Sequence, residues 1–191
     1  MSCRVGFVWE TVQHFSRYIE ECGAVCELVT PQMLAAPFFR GQFNCLIIPT
    51  GFGNAKYTNL LPALRASSSR IRRFVEGGGH LLVFGAAIEK PGVYDWLPFP
   101  VTYTHDFHPA QIRCEMGSTG AELIEDYDAE RIECDGTFPS HGGVCLGASG
   151  SADVILEYSL GSGKIIVTSV HEYPSRAFLK KFCCKGTQTL F

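Results

Sequence analysis

The stretch VHEYPS at residues 170–175 sets an imidazole, His171, directly beside a carboxyl group, Glu172. An imidazole changes charge near neutral pH, and a neighbouring acid can fix its tautomer, so this pair is a candidate for proton transfer. If the chain stays extended through residue 173, however, Glu172 points away from His171, and only a turn would let it orient the ring. A second candidate is GGGHLLVFGAA at residues 77–87, a glycine-rich turn feeding an apolar strand that ends in small residues. Many α/β enzymes carry a nucleophile on such a tight turn, but position 85 is glycine and supplies no reagent. Gly85 with Ala86 would instead leave room for a ligand to lie against the turn. If a helix began there, its N-terminus would favour an anion. PTGFGN at residues 49–54 supplies a third cluster, with Phe52 between Gly51 and Gly53.

Other reagents are scattered. Cys145 follows His141 by four residues in SHGGVC, a spacing that rarely makes a thiol–imidazole pair. Cys45 lies inside an apolar run and should be inert. The segment THDFH carries His105, Asp106 and His108. The two histidines could meet on a helix but not on a strand, and zinc would need a further ligand such as His141 or Cys114. Otherwise the segment reads as a polar surface loop. The aromatics Tyr94, Trp96, Phe99, Tyr103 and Phe107 have no interleaved basic residues, so they suit a packed flap better than a base-stacking platform.

The composition narrows the classes. The chain has 191 residues, 46% apolar and 18% charged, enough for one domain, residues 1–191, with a substantial core. The net charge is −3 and no long basic run occurs, which argues against a nucleic-acid partner. No stretch is apolar enough to predict a membrane span, and the N-terminal run lacks the pattern of a signal peptide. Nine cysteines, an odd number with no CxxC pair, predict reduced and mostly buried thiols, with the cytoplasm as the natural compartment.

Periodicity supplies the elements that must position these residues. Apolar runs at 4–9, 24–29, 45–49 and 80–84 read as buried strands. Residues 11–22 place Val12, Phe15, Tyr18, Ile19 and Cys22 on one helical face, with Thr11 as cap and Gly23 as stop. A helix follows PTGFGN, interrupted at Pro62 and at the serines 67–69, and ends at Gly77–Gly79. From residue 91 to about 150 the reading is loops and short strands at 100–104, 111–116, 131–134 and 144–146. Residues 153–159 and 164–170 form a hairpin around LGSG, a helix covers about 175–184, and the tail reads as frayed. Strands alternating with amphipathic helices predict an α/β fold, a mostly parallel, flavodoxin-like sheet with helices on both faces and a late antiparallel hairpin. In such a sheet PTGFGN, FGAA and VHEYPS would converge at the strands' carboxyl ends.

The order of these motifs resembles the class I glutamine amidotransferase-like domains, and most of all the domain at the N-terminus of some biotin-protein ligases. The resemblance covers residues 4–87 and 153–182. It implies that FGAA is the nucleophile elbow, with Gly85 in place of the cysteine. It implies that Gly51 and Gly53 belong to the oxyanion turn and that His171 stands in place of the base. The acid's position, two residues on, holds Tyr173. The expectation is a catalytically degenerate domain that binds a small molecule or a protein partner through Gly51, Phe52, Gly53, Gly85, Ala86 and His171. It would need no cofactor, and it could pair with a second copy. The alternative is a hydrolase or amidotransferase using a displaced cysteine or a bound metal, and a purely structural interaction domain is a third reading.

Overall fold

Side-chain alternation along short apolar strands decides the architecture. The computed structural model describes residues 2–191. In chain order the elements are β1 (Arg4–Val8), α1 (His14–Glu21), β2 (Val25–Val29), α2 (Pro31–Ala35), β3 (Gln42–Phe43), β4 (Cys45–Ile48), α3 (Leu60–Ala66), α4 (Ser68–Glu76), β5 (His80–Val83), β6 (Val101–Ala110), β7 (Arg113–Cys114), α5 (Thr119–Leu123), β8 (Ile132–His141), β9 (Val144–Ser149), β10 (Ala152–Leu160), β11 (Gly163–Thr168), α6 (Arg176–Lys185) and β12 (Thr189–Leu190).

Eight strands form one sheet in the order β2-β1-β4-β5-β11-β10-β9-β7. The first five run parallel, and β10, β9 and β7 extend the sheet antiparallel. Both faces of the central strands are buried because both residue parities are apolar. Val5, Phe7, Cys45, Ile47, Leu82 and Ile166 pack against α1, α5 and α6, while Leu46, Ile48, Leu81, Val83 and Val167 pack under α3 and α4. The chain is therefore an α/β protein with a flavodoxin-like sheet and a late antiparallel hairpin, β10–β11.

Several local expectations change. The first helix starts later than Thr11: Gln13 and Ser16 form a reciprocal capping box, and Val12 is exposed outside the helix. Pro62 does not interrupt α3, because it falls in the first turn, where a missing N–H is harmless. The tail is not frayed. β12 pairs with β3, and Phe191 is buried edge-on against Phe74. Cys3 and Cys184 form a disulfide, so the thiols are not all reduced; the other seven described cysteines are free.

The largest difference is in the middle. Instead of loops, β6 and β8 form a ten-residue antiparallel ribbon with two irregular registers. Polar residues such as Thr102, Thr104 and Asp106 occupy its outer face, which hid the strand pattern from an apolar reading. The ribbon is anchored to the end of β11. Asp135 N–H donates to the Ser169 carbonyl (2.7 Å), and His171 N–H donates to the Glu133 carbonyl (2.8 Å).

Candidate functional site

The carboxyl ends of the parallel strands open onto a crevice of about 750 Å³. Its lining includes Thr50 and Gly51 after β4, Ala87 after β5, and His171 after β11. The ribbon adds His105, Phe107 and Asp135, and Trp9, Lys56 and Tyr57 complete the rim. A smaller hollow of about 180 Å³ adjoins it beneath Trp9, Thr50 and His171.

Asp135 is the central group and was not singled out in the sequence. Its side chain is only 3% exposed, and its Oδ1 accepts a hydrogen bond from His171 Nδ1 at 3.0 Å. A carboxylate only accepts, so Nδ1 carries the hydrogen and Nε2 is the free ring nitrogen. The hydrogen bond to Asp135 raises the His171 pKa above the ordinary imidazole value, and burial only partly opposes it. Asp135 Oδ2 is buried with no partner among the described residues. The same residue's carbonyl accepts from His105 Nδ1 (2.7 Å) and from the Tyr103 hydroxyl (2.7 Å). One residue thus fixes the tautomers of two histidines on one crevice. The available signal in the sequence was an acid beside Gly136 within a strand of inward apolar residues, Ile132 and Cys134.

The elbow position has a different use. A Cβ at Gly85 would lie 2.7 Å from Asp135 Cβ and 2.8 Å from its Oδ2. Gly85 is therefore the floor on which the Asp135 carboxylate rests. No helix follows β5: residues 85–100 are irregular and bury Tyr94 and Trp96, so the expected helix N-terminus and its anion preference are not there. The amides near the turn are also occupied. Gly51 N–H donates to the Gly85 carbonyl at 2.8 Å. The Ala86 and Ala87 N–H groups serve the buried hydroxyls of Tyr94 and Tyr103, whose pKa values burial pushes up. Ala87 has φ +51°, the one positive φ outside glycine among the described residues. Strain of this kind at a turn has a cost that surrounding structure must hold.

Of the expected ligand residues, Gly51 and His171 line the crevice. Phe52, Gly53, Gly85 and Ala86 do not; they are buried behind its wall. Phe52 packs edge-on against Tyr94 and Trp96, and Gly53 faces Val93 and Ala86. Glu172 does not orient His171. Its Oε1 instead accepts the Glu133 N–H at 2.9 Å, the outcome expected for an extended chain. His105 and His108 lie three apart on a strand and diverge: His108 Nδ1 turns to the Asp106 carbonyl at 2.8 Å. Among the described residues no group of three or more histidine, cysteine or acidic side chains is placed to hold a metal. Tyr94, Trp96, Phe99 and Tyr103 form a packed flap, while Phe107 stays half exposed, edge-on to the His171 ring.

The cysteines offer no activated thiol here. Cys145 does not pair with His141, because the Asp153 carboxylate takes His141 Nε2 at 2.7 Å and also engages the thiol. Burial and that carboxylate push the Cys145 pKa up to about 11. Burial likewise pushes Cys134 up to about 12 and holds Cys45 well above its ordinary value. Such thiols carry little thiolate near neutral pH.

No protein-family model matches the chain, and no curated protein matches it in sequence. Solved structures do. A cytoplasmic protein of Salmonella typhimurium LT2 aligns with TM-score 0.57 and 14% identity, over 95% of this chain and 97% of that one. A candidate GMP synthase component from Thermoplasma acidophilum, of the glutamine amidotransferase family, aligns at 0.60 and 12%, over 96% and 94%. The cold-adapted β-galactosidase of Rahnella sp. R3 aligns at 0.61 and 10%, over 96% of this chain but 30% of that one. These likenesses show a shared α/β, amidotransferase-like fold at long distance. No helix among the described residues is long and apolar enough to cross a membrane.

Proposed function

We propose that this chain is a catalytically degenerate amidotransferase-like domain, of the kind resembled in biotin-protein ligases, that binds a small molecule in the strand-end crevice. The observation that carries the reading is the Asp135 carboxylate, seated on Gly85 at the elbow and hydrogen-bonded to His171. A thiol attack on an amide needs a nucleophile and free N–H donors for the oxyanion. Here an acid fills the elbow, and the Gly51 N–H donates to the Gly85 carbonyl. The remaining features suit binding. The crevice is concave and mixes Trp9, Tyr57 and Phe107 with a few fixed polar groups, the pattern of a small-molecule site. Oδ2 of Asp135, buried without a partner among the described residues, is a further acceptor beside it.

The test is fragment screening by NMR with the His171 and Phe107 resonances followed, alongside ammonia release from L-glutamine. The expected result is fragments that shift both resonances, binding lost in His171→Ala, and no ammonia above buffer. Glutamine hydrolysis sensitive to His171→Ala, or no fragment touching these residues, overturns the proposal. The alternative through a displaced cysteine or a metal gains no support from the thiols or from the ligand geometry described above.

A further inference from the structure

Far from the crevice, three guanidinium groups converge on a hollow of about 410 Å³ lined by Pro37, Arg40, Arg70, Arg73, Leu190 and Phe191. Arg70 and Arg73 share a face of α4 at i,i+3, and Arg40 comes from the loop after α2. Like charges at that spacing repel, yet none of the three forms an ion pair among the described residues, although six other Lys or Arg side chains do. Arg70 is fixed rather than mobile. It donates to the carbonyls of Leu34 (3.0 Å), Ala36 (2.8 Å) and Phe39 (3.1 Å), and its guanidinium lies 4.5 Å over the Phe191 ring. Burial first, then Arg40 and Arg73, depress its pKa, a sign that local positive charge is uncompensated.

We propose that this hollow is a binding site for a phosphate-bearing small molecule. Guanidinium forks match phosphate oxygens bidentately, and an anion here would relieve the repulsion among the three side chains. The apolar wall of Pro37, Leu190 and Phe191 suits the organic part of a phosphate ester and gives a free inorganic ion nothing to contact. Holding Arg70 in place beforehand reduces the ordering that binding would require.

Calorimetry with ADP and with inorganic pyrophosphate tests this. The expected result is saturable binding, tighter for ADP, weakened roughly tenfold by Arg73→Ala and by Arg40→Ala. Neither side chain anchors an element, so both variants should fold; their unfolding curves confirm it. Arg72→Ala, whose side chain pairs outward with Glu76, is the control and should leave binding unchanged. No saturable binding of either probe, or equal weakening by Arg72→Ala, overturns the proposal. So does retention on phosphatidylserine vesicles without binding of either soluble probe, which would assign the surface to a membrane instead.

Discussion

The carboxylate of Asp135 rests on the α-carbon of Gly85, so close that a single added methyl group would overlap it. The two residues lie far apart in sequence, one just after β5 of the main sheet and the other in β8 of the ribbon, and each accounts for the other. Glycine at the elbow is required by an acid that approaches from the β6–β8 ribbon.

Restoring a side chain at the elbow should therefore harm the protein instead of reviving an enzyme. Gly85→Ala and Gly85→Cys are expected to lose about 1–3 kcal/mol through overpacking. Thermal unfolding measures this. The double variant Gly85→Ala with Asp135→Gly should recover part of the loss, because the second change removes the obstructing carboxylate.

The His171–Asp135 pair makes a pH prediction. The His171 pKa is raised in the folded state, so its stabilising contribution is fully present below the ordinary imidazole pKa and is lost as pH rises through the folded value. Replacing Asp135 by asparagine removes the main cause of the shift. NMR titration should then show the His171 midpoint move down, and the alkaline loss of stability over that window should shrink. An unmoved midpoint would mean that the hydrogen bond does not set the pKa.

Thiol chemistry should be slow. Cys145 is the most exposed free cysteine among the described residues, but with a pKa near 11 its alkylation rate should keep rising with pH well past neutrality. His141→Ala should not slow it. Asp153→Ala should speed it, since the carboxylate that opposes thiolate formation is gone. Mass spectrometry of timed alkylation reads all three.

The Cys3–Cys184 disulfide spans a sequence separation of 181 residues. In the chain-entropy account such a closure stabilises by about 5 kcal/mol, a figure that residual structure in the unfolded chain would lower. Reduction, or Cys3→Ser, should lower the unfolding midpoint in denaturant, while Cys114→Ser should not produce a comparable loss.

The parallel half of the sheet was legible because its strands are apolar on both parities, from Val5 to Val8 and from Cys45 to Ile48. The β10–β11 hairpin was legible from its turn. The ribbon was not, since its outward residues are polar and its two register shifts break strict alternation. The site suffered accordingly. His171 and the Gly51 turn could be read from strand ends, but Asp135 reaches them only through long-range pairing of the ribbon with residues 169–171. Phe52, Gly53 and Ala86 were assigned to the crevice because a turn's sequence does not say which of its residues face inward. Likewise the missing helix after β5 could not be read, because GAAIEKPG gives no sign that Tyr94 and Trp96 will occupy the helix's place.

The bond between Cys3 and Cys184 also has a mechanical consequence. It joins the start of β1 to the last turn of α6, so the covalent path from one end of the fold to the other bypasses every intervening element. Tension applied outside these two residues would run through one pair of sulfur atoms and leave the sheet unloaded. Only after reduction would pulling begin to unzip β1 from β2 and β4. An oxidised molecule in a stretched assembly would thus act as an inextensible link, and a reduced one as an extensible spring.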